Sequence, residues 1–268
     1  MTQGVLLFAQ NNGEIDYVQL AVFAAGQIKQ HLNVPVSVVT NEPIENSVFD
    51  QVIVINEAGN NTKEFRDGAD RAVGVVWRNT NRVRCFELSP YDETLVVDVD
   101  YIVNSGKLNY CWNQPFDFLI YKDSYDLANW RSKQEFEYVS EYSITFCWAT
   151  VFFFRKTPEV ESFFELVNHI KDNWGYYKLA YKIYSGSFRN DIAFSIALHM
   201  MNGFTRGSWA GNIPGKLHYV LDVDYLLEIK DTAMKFLVQR QSDYICLKTN
   251  SLDMHVMNKY SLLRCIND

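Results

Sequence analysis

Short apolar runs separated by one amphipathic stretch dominate the first hundred residues, and this order constrains the fold more than any other feature. The runs lie at residues 5–8, 36–39, 52–55 and 94–97. Such runs are typical of strands buried on both faces. Between the first two, apolar residues recur at three- and four-residue spacing from Ile15 to Ile28, which predicts a helix. Strands joined by such a crossover predict a parallel α/β sheet. Residues 56–80 are polar and contain glycine, so a loop or an irregular helix is expected there.

The second half of the sequence predicts further strands and helices. A long aromatic strand is expected over 145–154, and Pro158 stands where a helix tolerates proline, at its start. This helix has an apolar stripe from Val160 to Trp174. The remaining expected elements are a helix capped by Asn190 and ended by Gly203, strands near 217–222 and 244–247, and a terminal helix from about Lys259.

Charge and composition argue against several classes of function. The formal net charge of −7 does not favour a broad electrostatic grip on nucleic acid. No apolar run approaches the roughly 20 residues that a membrane span needs, and the N-terminus lacks the basic segment of a signal peptide. The five cysteines are scattered, so reduced thiols are expected rather than a disulfide scaffold or a zinc site. We therefore expect a cytoplasmic protein without a membrane partner.

An Asp-x-Asp motif, Asp98-Val99-Asp100, ends the fourth apolar run. Ligands of open α/β sheets bind beyond the carboxyl ends of the strands. Residues i and i+2 at a strand end point the same way, so the two carboxylates can face one point. Two close carboxylates repel each other unless a cation lies between them. A hard cation such as Mn²⁺ or Mg²⁺ accepts oxygen ligands of this kind and can bridge to a diphosphate.

The same pattern occurs a second time, as Asp222-Val223-Asp224. This copy lies among short strands late in the chain, with no α/β-type elements directly before it. We expect it to be a pair of acidic residues at a strand exit, without a cation.

Four segments of the sequence together resemble GT-A glycosyltransferases, and most of all the retaining group that includes glycogenin and bacterial galactosyltransferases. Residues 8–12 with Tyr17 resemble the strand and loop that receive the nucleotide. Arg82 resembles the family's basic residue upstream of its metal motif, and residues 98–100 resemble that motif. Residues 146–154 lie where the family has an Asn-Ala-Gly-Val strand, although the Asn and Gly are absent here.

The resemblance implies a single GT-A-like domain over 1–268, with a Rossmann-like mixed sheet flanked by helices. Its nucleotide-binding half would be 1–103, and 104–268 would complete the site and hold the acceptor. The implied activity is metal-dependent transfer of a sugar from a nucleotide-diphosphate donor, with UDP the expected nucleotide and retention the expected outcome. The residues implied to bind the nucleotide sugar are Asn11, Asn12, Tyr17, Arg82, Asp98, Val99, Asp100 and Lys259.

A late segment supplies the remaining metal and phosphate groups that the resemblance implies. His255 would join Asp98 and Asp100 around Mn²⁺ or Mg²⁺, and Lys259 would contact the diphosphate. The two are four residues apart, so one helical turn would place them on one face. Imidazole and carboxylates together suit Mn²⁺. The alternatives are a core histidine and a solvated lysine.

Asn190 and Asp191 follow a polar, glycine-containing loop and admit two interpretations. Either residue would cap the helix that begins there. The resemblance implies instead that Asp191, with Asn190, faces the donor sugar and supports its developing positive charge or holds its hydroxyl groups. Both roles can coexist.

The stretch 174–190 alternates aromatic residues with Lys178, Lys182 and Arg189, and it is the candidate acceptor site. Cations suit phosphates, and rings suit stacked bases or sugars. The acceptor is expected to be a glycan, a small molecule or hydroxymethylcytosine-type DNA; a phage-type enzyme would use the last in the host cytoplasm. The alternative is a helix that continues from 159, with its aromatic residues in the core and its lysines in water.

Two other function classes stay open. A nucleotidyltransferase also needs paired carboxylates on a similar sheet, but the sequence lacks a glycine-rich phosphate loop. A non-catalytic carbohydrate-binding or interaction protein would need no reaction centre.

Overall fold

The computed structural model describes residues 1–56, 61–69, 71–129, 131, 136–140, 144–184 and 186–267. Across those ranges, no helix is both long enough and apolar enough to cross a membrane. The strands are β1 (Gln3–Ala9), β2 (Val36–Thr40), β3 (Gln51–Val54), β4 (Asn61–Arg66), β5 (Ala72–Trp77), β6 (Glu93–Val97), β7 (Tyr101–Ile102), β8 (Phe118–Tyr121), β9 (Ser124–Asp126), β10 (Trp148–Arg155), β11 (Gly211–Asn212), β12 (Leu217–Val220), β13 (Tyr225–Lys230), β14 (Ala233–Arg240), β15 (Asp243–Asn250) and β16 (Met254–Val256). The α-helices are α1 (Tyr17–Leu32), α2 (Cys85–Leu88), α3 (Pro158–Asp172), α4 (Trp174–Ala180), α5 (Asn190–Met201) and α6 (Lys259–Asn267).

The main sheet is mixed and has the strand order β11-β8-β10-β6-β1-β2-β3. β1 pairs in parallel with β2 and β6, and β2 pairs in parallel with β3. β10 runs antiparallel between β6 and β8. Helix α1 packs against β1 and β2, and α5 packs against β10. The α/β class and the helix-flanked mixed sheet expected from the sequence are confirmed, and strands from both 1–103 and 104–268 share this sheet.

An aromatic layer joins helices α3 and α5 to the main sheet. Phe152 of β10 lies 4.9 Å from Phe194 of α5, measured between ring centroids. Phe118 of β8 lies 4.6 Å from Phe163 of α3. All four side chains are buried. Such ring pairs stabilise a core by about 0.5–1.5 kcal/mol beyond the burial of their area. The layer therefore fixes α5, which reaches the functional site, relative to the strands.

The strands predicted in the first half are confirmed as β1, β2, β3 and β6, and the first predicted helix is α1. The prediction for residues 56–80 is wrong, because β4 and β5 form an antiparallel hairpin there. Its polar side chains mostly face solvent, while Phe65 and Val75 are buried. The mainly polar composition and Gly68, which adopts a positive φ of 77° near the turn, make the segment look like a loop.

Two details of the predicted helices also differ from the structure. The stripe that ends at Trp174 belongs to two helices, because α3 ends at Asp172 and α4 begins at Trp174. Asn190 is not an N-cap: it is the first residue of α5, and the extended backbone of Arg189 holds the cap position without a capping side-chain hydrogen bond. The helix therefore begins one residue earlier than the sequence suggests.

The second Asp-x-Asp copy is part of a buried ion-pair network. Arg131 donates hydrogen bonds to both carboxylate oxygens of Asp126 and to both of Asp224, at 2.7–3.0 Å. Asp224 is fully buried and also accepts hydrogen bonds from the backbone of Leu221 and Gln239. The network links the end of β9 to the β12–β13 connection. Asp224 therefore has a structural role.

We expect Asp224→Ala to lower the free energy of unfolding by about 3–5 kcal/mol, because it leaves a buried guanidinium short of one carboxylate. Glu64→Ala removes the exposed pair with Arg66 and should change stability by less than about 1 kcal/mol. Urea unfolding followed by circular dichroism measures both. Equal losses in the two variants would contradict a structural role for Asp224.

Candidate active site

A cleft of about 610 Å³ opens at the carboxyl ends of β1 and β6. Phe8 and Gln10 reach it from β1, and Asp98 and Asp100 reach it from the turn after β6. The β4–β5 hairpin and the N-terminus of α5 complete its walls. Because the parallel strands end at one edge, side chains that are far apart in sequence converge there.

Arg82 fixes one of the two motif carboxylates. Its guanidinium lies 2.7 Å from the Asp98 Oδ1 atom and donates a second hydrogen bond to the Thr150 carbonyl, at 3.2 Å. Arg82 is almost fully buried. Burial raises the pKa of Asp98, and the Arg82 charge opposes that rise. The pair places a cation and an anion at the floor of the cleft.

Lys259 and His255 both contact the other carboxylate. The Lys259 Nζ atom lies 2.5 Å from Asp100 Oδ2, and His255 Nε2 lies 3.4 Å from the same oxygen. Burial alone would raise the pKa of Asp100, but the charges of Lys259 and His255 outweigh it and hold that pKa well below its usual range. The carboxylate is therefore ionised and paired.

The structure brings His255 and Lys259 together differently from the predicted single helical turn. His255 lies on β16, which pairs antiparallel with β7 and sets His255 opposite Tyr101, the residue after Asp100. Lys259 is the first residue of α6. The chain changes from strand to helix between the two residues. This change, rather than a shared helix face, directs both side chains toward Asp100.

Asp98, Asp100 and His255 form a donor set that fits a divalent cation. One ligand atom from each lies within 4.8 Å of the other two. Two hard carboxylate oxygens and one imidazole suit Mn²⁺ and are compatible with Mg²⁺. Arg82 and Lys259 balance the two carboxylates and would share them with a bound ion.

The β4–β5 hairpin supplies cleft residues that sequence reasoning missed. The buried ring of Phe65 lies 4.8 Å from the Lys259 Nζ atom and 5.2 Å from the Lys63 Nζ atom. Trp77 faces the same lysine at 5.6 Å. The sequence signal that could have found the hairpin was the recurrence of Val73, Val75 and Trp77 at every second residue of β5. The hairpin therefore brings a cation and aromatic rings to the site.

Asn11 and Asn12 do not line the cleft. Asn11 accepts a hydrogen bond from the Val18 backbone at the start of α1, and Asn12 accepts one from the Ile15 backbone. Both side chains shape the loop between β1 and α1.

Gln10, one residue earlier, faces the cleft instead. It is only 6% exposed, and neither atom of its side-chain amide has a hydrogen-bond partner among the described residues. Strand alternation is the signal that could have found it, because Phe8 and Gln10 share one face. The Tyr17 hydroxyl is likewise buried in the cleft without a partner in the described part of the chain, and burial raises the pKa of Tyr17.

Asp191 is held at the cleft by the main sheet. Its Oδ1 atom accepts a hydrogen bond from the backbone of Ala149 on β10, at 2.9 Å, and Arg189 lies 3.5 Å from its Oδ2 atom. The side chain keeps 21% of its surface exposed. Asn190 lines the cleft beside it and is buried. The arrangement leaves part of an anchored carboxylate open to a ligand.

The three basic residues of the candidate acceptor stretch do not converge. Arg189 lines the cleft, with its guanidinium 5.6 Å from the Phe146 ring. Lys182 lines a different cavity, and Lys178 lines neither of the two. Ser185 lies outside the described residues.

No profile of a known protein family matches this chain, and no curated protein matches it. Solved structures do show similarity. The galactosyltransferase LgtC, in complex with donor and acceptor sugar analogues, shares 13% identity at a TM-score of 0.48, covering 78% of this chain and 72% of LgtC. The glycosyltransferase GlyE of Streptococcus pneumoniae shares 10% identity at a TM-score of 0.45, and the match covers 79% of this chain and 45% of GlyE. This chain thus spans less than half the length of GlyE. A glucose-1-phosphate thymidylyltransferase from Bacillus anthracis shares 8% identity at a TM-score of 0.46. That match covers 98% of this chain and 93% of the thymidylyltransferase chain.

We expect Asp98→Asn combined with Asp100→Asn to weaken Mn²⁺ binding more than about 100-fold, because it removes both anionic ligands. Asp222→Asn is the matched control, since Asp222 also lines the cleft but does not belong to the donor set. Electron paramagnetic resonance of free Mn²⁺ measures the binding. Equal affinity in the double variant and the control would rule out the metal site.

Proposed function

We propose that this protein is a metal-dependent glycosyltransferase that moves a sugar from a UDP-sugar to an acceptor with retention of configuration. One observation carries the proposal: a two-carboxylate, one-imidazole donor set stands between the buried Arg82 and the largely enclosed Lys259 at the carboxyl edge of parallel strands. A bound Mn²⁺ or Mg²⁺ would supply Lewis-acid stabilisation of the leaving diphosphate.

The cations of the cleft suit a diphosphate. Arg82 and Lys259 would hold the phosphate oxygens, and Lys63 on the hairpin adds a third positive charge nearby. Such charge-assisted contacts are stronger than neutral ones. Negative charge that develops on the leaving diphosphate would be stabilised by these cations, which are already in position. Preorganised electrostatic stabilisation of this kind is usually the largest single contribution to enzymatic rate enhancement.

Gln10 and Tyr17 are the side chains that we propose for the nucleoside. Each carries a buried polar atom without a partner in the described part of the chain, and such atoms cost free energy unless a ligand satisfies them. A glutamine amide presents an N–H donor group beside an acceptor oxygen, which suits the edge of a pyrimidine base. Asn11 and Asn12 would contribute by holding the loop that carries Gln10, and Val99 by spacing the two motif carboxylates.

Asp191 would act on the donor sugar. The hydrogen bond from Ala149 fixes one carboxylate oxygen, and the other faces the cleft near Arg189. A fixed carboxylate beside the anomeric carbon would stabilise the positive charge that develops as the glycosidic bond breaks. Asn190 would hold a sugar hydroxyl group beside it.

The acceptor that we propose is a glycan, a small molecule or modified DNA, and the proposed compartment is the cytoplasm. All five cysteines are unpaired, which is compatible with that compartment. Release of UDP from a panel of UDP-sugars, with and without Mn²⁺, tests the function. Release of pyrophosphate from UTP and a sugar phosphate instead would assign a nucleotidyltransferase, and sugar binding without release of either would assign a binding protein.

We expect Asp191→Ala to lower kcat at least about 100-fold while UDP affinity stays within about twofold, because its partner is the sugar. Asp222→Asn should change neither quantity. Turnover assays and calorimetric UDP titrations measure them. If the variant unfolds more easily but its folded fraction turns over normally, Asp191 acts only in the structure of the helix N-terminus.

We expect Gln10→Leu to weaken UDP binding about tenfold while Mn²⁺ binding is kept, since the change removes the amide but keeps the volume. Asn46→Ala is the control: Asn46 lies outside the cleft, so its loss should leave the affinity for UDP nearly unchanged. Unchanged UDP affinity in Gln10→Leu would remove Gln10 from the nucleoside site.

A further inference from the structure

A second cavity of about 650 Å³ lies along helix α5, beyond the cleft. Asp191 reaches the cleft from the first turn of α5, while Ser195, His199 and Asn202 line the second cavity. These positions are spaced as one face of a helix. At 1.5 Å rise per residue, the cavity begins about 6 Å from Asp191 along the axis and extends to about 12 Å at His199.

The charged side chains that line the second cavity, within the described residues, are all cationic. They are Lys122, Lys182 and Arg206. The Lys122 Nζ atom donates a hydrogen bond to the Ala210 carbonyl at 2.7 Å, so its position is fixed. Neither Lys122 nor Arg206 forms an ion pair with a described carboxylate. Lys122 and Arg206 are thus two cations in one cavity without a described carboxylate partner, and this indicates an anionic ligand.

Aromatic rings stand beside these cations. Phe204 and Tyr138 line the cavity and are 64% and 41% exposed. The Tyr181 hydroxyl and the His199 Nδ1 atom form a hydrogen bond of 3.1 Å deeper in the cavity. Exposed rings offer apolar faces to a flat or ring-shaped group, and the polar pair offers hydrogen bonds. The cavity thus suits a ligand with a sugar ring as well as a negative charge.

The wall between the two cavities is a chain of hydrogen bonds. Ser195 Oγ accepts a hydrogen bond from the backbone of Cys147 at 2.8 Å and donates one to the Asp191 carbonyl at 2.7 Å. The next strand residue on the same side, Ala149, binds the Asp191 carboxylate. A ligand in the second cavity would therefore lie against the same strand and helix that position Asp191.

We propose that the second cavity binds a phosphate-bearing saccharide and holds the anionic end of the acceptor. Its role in transfer rests on the proposed function, whereas its anion binding does not. A phosphorylated saccharide fits better than duplex DNA, because the site is a concave cavity with three cations. DNA binding normally needs a long basic track, and the chain has a net charge of −7.

Calorimetric titration with glucose 6-phosphate, at saturating UDP and Mn²⁺ to fill the cleft, tests the binding. We expect glucose 6-phosphate to bind and glucose not to, and we expect Lys122→Ala and Arg206→Ala each to weaken binding roughly tenfold. Lys178→Ala is the matched control, since Lys178 lies outside both cavities. Arg206→Lys keeps the charge and should recover part of the loss, which separates a lost contact from misfolding. Equal effects of all the alanine variants, or no binding at all, would overturn the proposal.

Two further measurements distinguish this proposal from the proposed function. With Asp98→Asn and Asp100→Asn present, glucose 6-phosphate should still bind and Arg206→Ala should still weaken that binding, because the donor set lies in the other cavity. If the unaltered protein binds glucose 6-phosphate but turns over no UDP-sugar, the proposed transferase function is refuted and the anion site in the second cavity is retained. If duplex DNA competes with glucose 6-phosphate, and the affinity for DNA falls steeply as the salt concentration rises, the saccharide assignment is overturned in favour of nucleic acid.

Discussion

Mutual repulsion of Asp98 and Asp100 is the constraint on which the arrangement of the site depends. Two carboxylates this close, both largely enclosed, need positive charge around them. Arg82 supplies it from before the fourth parallel strand, and Lys259 supplies it from the last helix. The cost of leaving either carboxylate unpaired therefore couples the segment from Arg82 to Asp100 with the last helix. That coupling brings β16 and α6 against the carboxyl edge of the main sheet.

The two Asp-x-Asp copies show how the same residues serve different ends. In the first copy the carboxylates border an open cleft, so a ligand can share them. In the second copy Arg131 joins two carboxylates, and Asp224 has no solvent access. A buried, fully satisfied network specifies structure, whereas a partly open one has capacity left for a ligand. Exposure and partners, and not the motif, determine the role.

The sequence predicted the strands whose apolar runs are unbroken. β1, β2 and β6 are buried on both faces, and the edge strand β3 keeps the same apolar pattern although it is partly exposed. It did not predict the β4–β5 hairpin, because Phe65 is the one apolar residue of β4 and its neighbours there are polar. It placed Asp98, Asp100 and His255 together through resemblance, but it could not choose Gln10 over Asn11 and Asn12. That choice depends on which way each side chain points after the strand ends, and the path of the loop decides it.

Contacts of the β4–β5 hairpin with the last helix have a consequence for protein engineering. Arg264 of α6 forms two hydrogen bonds of 2.8 Å with Asp67 in the hairpin turn, and Lys259 packs on Phe65. The short helix α6 thus anchors the β4–β5 hairpin, which forms one wall of the cleft, and also carries one of the cations of the cleft. Removing residues 259–268 would release the β4–β5 hairpin from the last helix and remove the Lys259 charge in a single step.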